Sequence, residues 1–182
     1  MKRNIVCPSK SGFKLLQTWL PSDIRTSSRF FVSHDVWDTV PLASSLPTRH
    51  PEPIFIIRNA YTVDPAWVDD QLGSAESMMS LVAASRRYEV RMAAPTLEIM
   101  LFESPAIIDA VFGARATDVL RVMGEYDPER AIREAGMTVE GIVEKMSAAT
   151  IDMLRTTPTG KDILEGIAAL DAKNTTCTCI KH

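Results

Sequence analysis

Two stretches of this chain hold residues whose types and spacing suit chemistry on phosphate or a metal ion. The first is IIRNAYTVDP, residues 56–65, where an apolar run breaks off into Arg58, Asn59, Ala60, Tyr61 and Thr62. A loop of this kind at the carboxyl end of a parallel strand is where α/β proteins place ligands. Two carboxylates spaced as Asn59 and Tyr61 are would leave such a loop on one side and hold a hydrated Mg²⁺ together with phosphate oxygens. Here the positions carry a neutral amide and a phenol whose ordinary pKa is about 10. Asp64 keeps a charge, yet Asp64-Pro65 is also a natural helix start, with the carboxylate as cap. The second stretch is AAPTLEIMLFES, residues 93–104, in which Glu98 stands among Leu97, Met100, Leu101 and Phe102. A carboxylate in that setting either turns to solvent or has a reason to be inside. With no partner in view, the solvent-facing reading is the simpler. Glu103 reads as a surface charge.

A third candidate is the turn CPSKSGFKLL, residues 7–16. Backbone N–H groups at such a turn can hold phosphate, with Ser9, Lys10, Lys14 and the nearby Arg58 facing the anion. The stretch lacks the Walker pattern of Gly, Lys and Ser or Thr. A tight strand-to-helix turn capped by Ser9 explains it as well.

These groups need elements to hold them. Arg3 to Cys7 reads as a strand, Ser9 as the cap of a helix running to Leu20, and Pro21 as its stop. Arg29 to Ser33 is a second strand. Asp35 to Leu46 is mixed, and Pro41 argues against a full helix there. Ile54 to Ile57 is apolar on both faces, as a central parallel strand requires. From Pro65 a helix follows with Val68, Leu72, Ala75, Met79 and Val82 at steps of three and four. Tyr88 to Met92 is a fourth strand, and a short helix spans Thr96 to Phe102. Beyond it lie only helices punctuated by Pro and Gly. They start at Ser104-Pro105 and at Asp127-Pro128, then cover 138–147, 148–155 and 161–170. The expected fold is therefore α/β, a small parallel sheet of about four strands flanked by helices, followed by an all-helical C-terminal region. The expected division is residues 1–103, a helical extension over 104–172 packed on them, and a flexible tail over 173–182.

Composition narrows the function classes. The 182 residues are 46% hydrophobic and 24% charged with a net charge of −3, which excludes wholesale disorder and a global basic field for nucleic acid. No apolar run reaches the roughly 20 residues that a membrane span needs. The first residues hold too short an apolar core for a secretory leader, so the chain reads as cytoplasmic. Cys7 reads as a buried thiol. Cys177 and Cys179 have the wrong spacing for a zinc site. The nine methionines suit core filling, or an adaptable surface.

Taken together, NAYTVDP and the later Pro95-x-x-Glu98 resemble the Toprim domain, in the version related to OLD-family nucleases, over roughly residues 3–103. The resemblance implies a small parallel sheet between helices and acids that bind Mg²⁺ for phosphodiester cutting or joining. Ala60, Thr62, Asp64 and Pro65 stand where that family would have them. Asn59 and Tyr61 occupy its two metal-binding Asp positions, and Cys7 to Gly12 lacks the expected Glu. Glu98 is the motif acid that survives, as catalytic and metal-binding residue, with Asp64 as a second ligand candidate. Two-metal chemistry needs its ions clamped and their charge compensated, so Mg²⁺ binding is expected to be weak. The leading expectation is a degenerate, non-catalytic Toprim-like protein. It would bind or regulate in a nucleic-acid-handling system, with phage defence as the implied setting. One alternative is a Mg²⁺-dependent nuclease in which Asp64 and Asp35 or Asp38 join Glu98. The other is a structural module acting through a protein partner or a homo-oligomer.

Overall fold

The computed structural model describes residues 1–34, 38–84 and 87–175. Strand β1, Arg3–Cys7, is buried along its whole length and pairs in parallel with β2, Ser28–Val32, on one side and β3, Ile54–Asn59, on the other. Strand β4, Tyr88–Ala93, joins the free side of β3. The order is β2-β1-β3-β4, all parallel. The chain leaves β1 to one side and later crosses back to its other side, so the order reverses between β1 and β3. That reversal opens a crevice at the carboxyl ends of these strands. The expected small parallel sheet is what the chain forms.

Alternating side chains serve two separate cores. Ile5, Cys7, Phe55, Ile57 and Ala93 face one way, Val6, Ile54, Ile56 and Val90 the other. Helix α1, Lys10–Trp19, covers the first face with Leu15, Leu16 and Trp19. Ser9 starts it, its hydroxyl accepting from Gly12 N–H at 2.9 Å. Leu20 ends it in an extended conformation before Pro21, which disfavours helix in the residue it follows. A short helix α2, Ser22–Ser27, leads into β2. The second face is covered by α3, Thr39–Ser45, and α4, Pro65–Ser80. Pro41 does not prevent α3, because it is the third residue, where an N–H has no intrahelical partner to lose. In α4 only Ala75 and Met79 are buried; Val82 lies beyond its end and is exposed.

The second half forms α5, Pro105–Phe112; α6, Asp118–Tyr126; α7, Pro128–Glu134; α8, Val139–Val143; α9, Ala148–Thr156; and α10, Pro158–Thr175. Helix α6 has no proline start and is capped by Thr117, whose hydroxyl accepts from Leu120 N–H at 3.2 Å. Helix α10 begins three residues before Lys161, with Thr157 accepting from Gly160 N–H at 3.0 Å. It continues through Lys173, Asn174 and Thr175, so these residues are helix rather than tail. Cys177, Cys179 and the rest of the expected tail lie outside the described residues.

These helices complete the sandwich. Ile163, Ile167 and Leu170 of α10 share one core with Phe55 and Ile57. Gly166 lets α10 come close: a Cβ there would stand 2.8 Å from the Phe55 ring. Asp171 pairs with buried Arg3 at 2.9 Å, and Asp162 with Arg91 at 3.1 Å.

Candidate functional site

The crevice is lined by the loops after β1, β3 and β4, and hydrogen bonds knit those loops together. Asn59 is the last residue of β3 and is 1% exposed. Its Oδ1 accepts from Leu97 N–H at 3.0 Å, and its Nδ2 donates to the Tyr61 hydroxyl at 3.4 Å. Ala60 N–H donates to Ala93 O at 2.9 Å and Tyr61 N–H to Pro95 O at 2.7 Å. The Asn59 amide therefore uses both its ends inside the fold. Tyr61 has φ of 55°, a left-handed conformation that costs a non-glycine residue about 1 kcal/mol. The two backbone bonds and the phenol contact hold it there. Gln71 of α4 closes the outer side, donating to Ala60 O at 2.9 Å.

Glu98 lies in a 3-10 turn, Leu97–Leu101, and is fully buried, not turned to solvent. Leu97, Met100 and Leu101 of the same turn are buried with it, and α1, α5, α7 and α10 pack against that turn. Glu98 Oε1 accepts from the Ser11 hydroxyl at 2.6 Å, and Ser11 lies 3.0 Å from the Ser9 hydroxyl. Its Oε2 and the nearby Thr96 hydroxyl have no hydrogen-bond partner among the described residues. The Glu98 carboxylate thus occupies the start of α1, the place where the sequence suggested phosphate. The serine hydroxyl supplies the one hydrogen bond that this carboxylate receives among the described residues. The carboxylate charge opposes a second anion.

Glu129, the second residue of α7, belongs to the same neighbourhood. Burial holds its carboxyl above the usual range, the Glu98 charge raises it further, and Arg133 opposes the shift. Sequence reasoning missed Ser11 and Glu129. Ser11 stands two residues after the Ser9 cap, and Glu129 directly follows Asp127-Pro128, so both looked like parts of helix starts.

The other candidates lie elsewhere. Asp64 is exposed and caps α4, accepting from Ala66 N–H at 2.9 Å. Asp38 is exposed at the start of α3, and Asp35 lies outside the described residues. Arg58 alternates with Ile54 and Ile56 and so faces α4, where it is half-buried, with a long 3.5 Å contact to Gln71 O. Burial lowers its pKa. Lys10 and Lys14 are exposed on α1, which covers the opposite face of the sheet. The three cations expected to line one side are divided between two. Cys7 is a free, buried thiol whose pKa burial pushes up, which makes it inert.

Mg²⁺ asks for an octahedron of oxygens, usually including one or two carboxylates. The donors here are one buried carboxylate, bonded to Ser11 through Oε1, an amide oxygen that already accepts from Leu97 N–H, and the exposed cap at Asp64. Among the described residues no three His, Cys, Asp or Glu side chains form a group able to hold a metal. The residues present do not fit the ion that the resemblance implies. Comparison with protein-family models, with curated proteins and with solved structures finds no match. Among the described residues, no helix is long and apolar enough to cross a membrane.

Proposed function

We propose that this chain is a degenerate Toprim-like protein that acts by binding, as a cytoplasmic subunit or regulator in a nucleic-acid-handling system. Phage defence is the setting the resemblance suggests. The observation that carries the non-catalytic reading is the Asn59 amide. At the position where the resembled family has a metal-binding acid, this side chain fastens β3 to the loop after β4 through Leu97 N–H at 3.0 Å. The amide supplies no charge to a metal, and its oxygen is already used. Of the three cations expected to face nucleic acid together, only Lys10 and Lys14 share a face. The division of the cations therefore favours a protein partner over a phosphate backbone as the main contact.

The alternative, a Mg²⁺-dependent nuclease built on Glu98, is tested by the same experiment. Purified chain is incubated with labelled single- and double-stranded DNA and RNA, with Mg²⁺ or Mn²⁺. The expected result is no metal-dependent cleavage. Robust cleavage that Glu98→Ala abolishes would overturn the proposal and establish the nuclease.

A further inference from the structure

We infer that the outward face of α4 is a docking surface for a basic amphipathic helix of a protein partner. The inference rests on the binding reading above for the existence of a partner. It names the surface and its chemistry, and it uses none of the crevice residues.

Helix α4 is anchored by only two fully buried side chains, Ala75 and Met79, while Trp67 is 61% exposed and Met78 45%. Leu81, just past its end, is 84% exposed, and Val82 47%. Single exposed apolar residues are ordinary; a set on one helix face marks an interaction site. At 100° per residue, Trp67, Ser74 and Met78 fall within about 40° of one another, and Trp67 and Met78 stand about 16 Å apart along the axis. Ser74 leaves a shallow notch between the two large side chains, a seat for a residue of a crossing helix. Tryptophan and methionine are the residue types that interface centres favour.

Charge decides between occupants. The segment from Thr62 to Ala84 holds four acids, Asp64, Asp69, Asp70 and Glu76, and no Lys, Arg or His, against a net charge of −3 for the whole chain. All four acids are exposed. Asp70 flanks the apolar stripe about 60° from Trp67 and Asp64 stands at the start of the helix, while Asp69 and Glu76 lie on its far side, about 160° and 180° from Trp67. A second copy of α4 would set acid against acid, and an anionic lipid surface would be repelled likewise. A helix with leucine-like residues at i, i+3, i+4 and i+7 and lysine or arginine on its flanks satisfies both the stripe and the acids.

The test uses the full chain and a labelled model peptide about 14 residues long, with leucine on one face and lysine on the other. A twin peptide carries glutamate for lysine. Titration at about 0.15 M salt is followed by fluorescence anisotropy. The lysine peptide is expected to bind and its twin not to. Trp67→Ala, and separately Asp70→Lys, should each weaken binding about tenfold. These side chains are exposed, so the variants should keep the wild-type melting temperature. Absence of binding, equal binding of the two peptides, or affinity indifferent to these variants would overturn the inference. So would a doubling of mass in light scattering that Trp67→Ala abolishes, since a second copy would then hold the face. Failure of the peptide without nuclease activity removes this surface alone; metal-dependent cleavage removes the binding reading whatever the peptide does.

Discussion

The strand-end crevice and the outward face of α4 meet at the loop between β3 and α4, and they are built in opposite ways. In the crevice the polar groups are buried and turned toward one another: Asn59 serves Leu97 and Tyr61, and Glu98 takes the Ser11 hydroxyl. On α4 and just past its end apolar groups are exposed, with Trp67 and Leu81 more than half open to solvent, and the segment from Thr62 to Ala84 carries four acids and no basic residue. A catalytic crevice leaves charged groups free for substrate or metal. This one spends Asn59 and one oxygen of Glu98 on cohesion and keeps Glu98 Oε2 and the Thr96 hydroxyl buried, while the exposed apolar groups of the region lie on the helix that the crevice loop begins. The contrast is the reason the proposed docking surface lies away from the place where the fold class ordinarily puts its ligands.

The sharpest way to break that comparison is to make similar cuts in both regions. Asn59→Leu removes the acceptor of a buried N–H and the donor to Tyr61, and is expected to cost about 1–3 kcal/mol, read by urea denaturation. Trp67→Ala is expected to stay within about 0.5 kcal/mol of wild type, as surface changes do. Equal losses would mean that α4 depends on Trp67 for its own packing, and the face would not be free.

A smaller effect sharpens the crevice side. Burial and Glu98 hold the Glu129 carboxyl above its ordinary value of about 4.3. The folded chain therefore retains a proton that the unfolded chain has lost. Its contribution is fully present below the unfolded pKa and fades as pH rises through the folded one. Glu129→Gln removes that fade. The melting temperature of the variant relative to wild type should rise as pH climbs from about 4 to neutrality. A difference independent of pH would mean that Glu129 does not feel the crevice. The shift is expected to be modest because solvent reaches part of this side chain.

Much of the scaffold was legible in the sequence, because its signals are local. The apolar runs of β1 and β3, the alternation of β4 and the caps at Ser9 and Asp64 announce themselves within a few residues. Helix α6 was not legible, since its start rests on Thr117 alone, without the proline that marks α5 and α7. Pro41 misled in the other direction, because its effect depends on its place within a helix whose start was unknown. In the site, the missing charges at Asn59 and Tyr61 could be read directly. What those residues do instead could not, because the partner of Asn59 is 38 positions away. Glu98 was read as facing solvent because the elements that pack over its turn, α1, α5, α7 and α10, are distant in sequence. Ser11 and Glu129 were hidden for the same reason, each looking like part of a helix start until the fold brought it to Glu98.

The central claim is that the crevice is fastened by a neutral amide and is not a metal site. It is tested most directly by titrating Mn²⁺ into the pure chain by calorimetry, alongside a variant with Asn59→Asp and Tyr61→Asp. The account predicts no saturable Mn²⁺ binding by wild type and a measurable gain in the variant. A stoichiometric Mn²⁺ site in the wild-type chain that Glu98→Gln abolishes would contradict it.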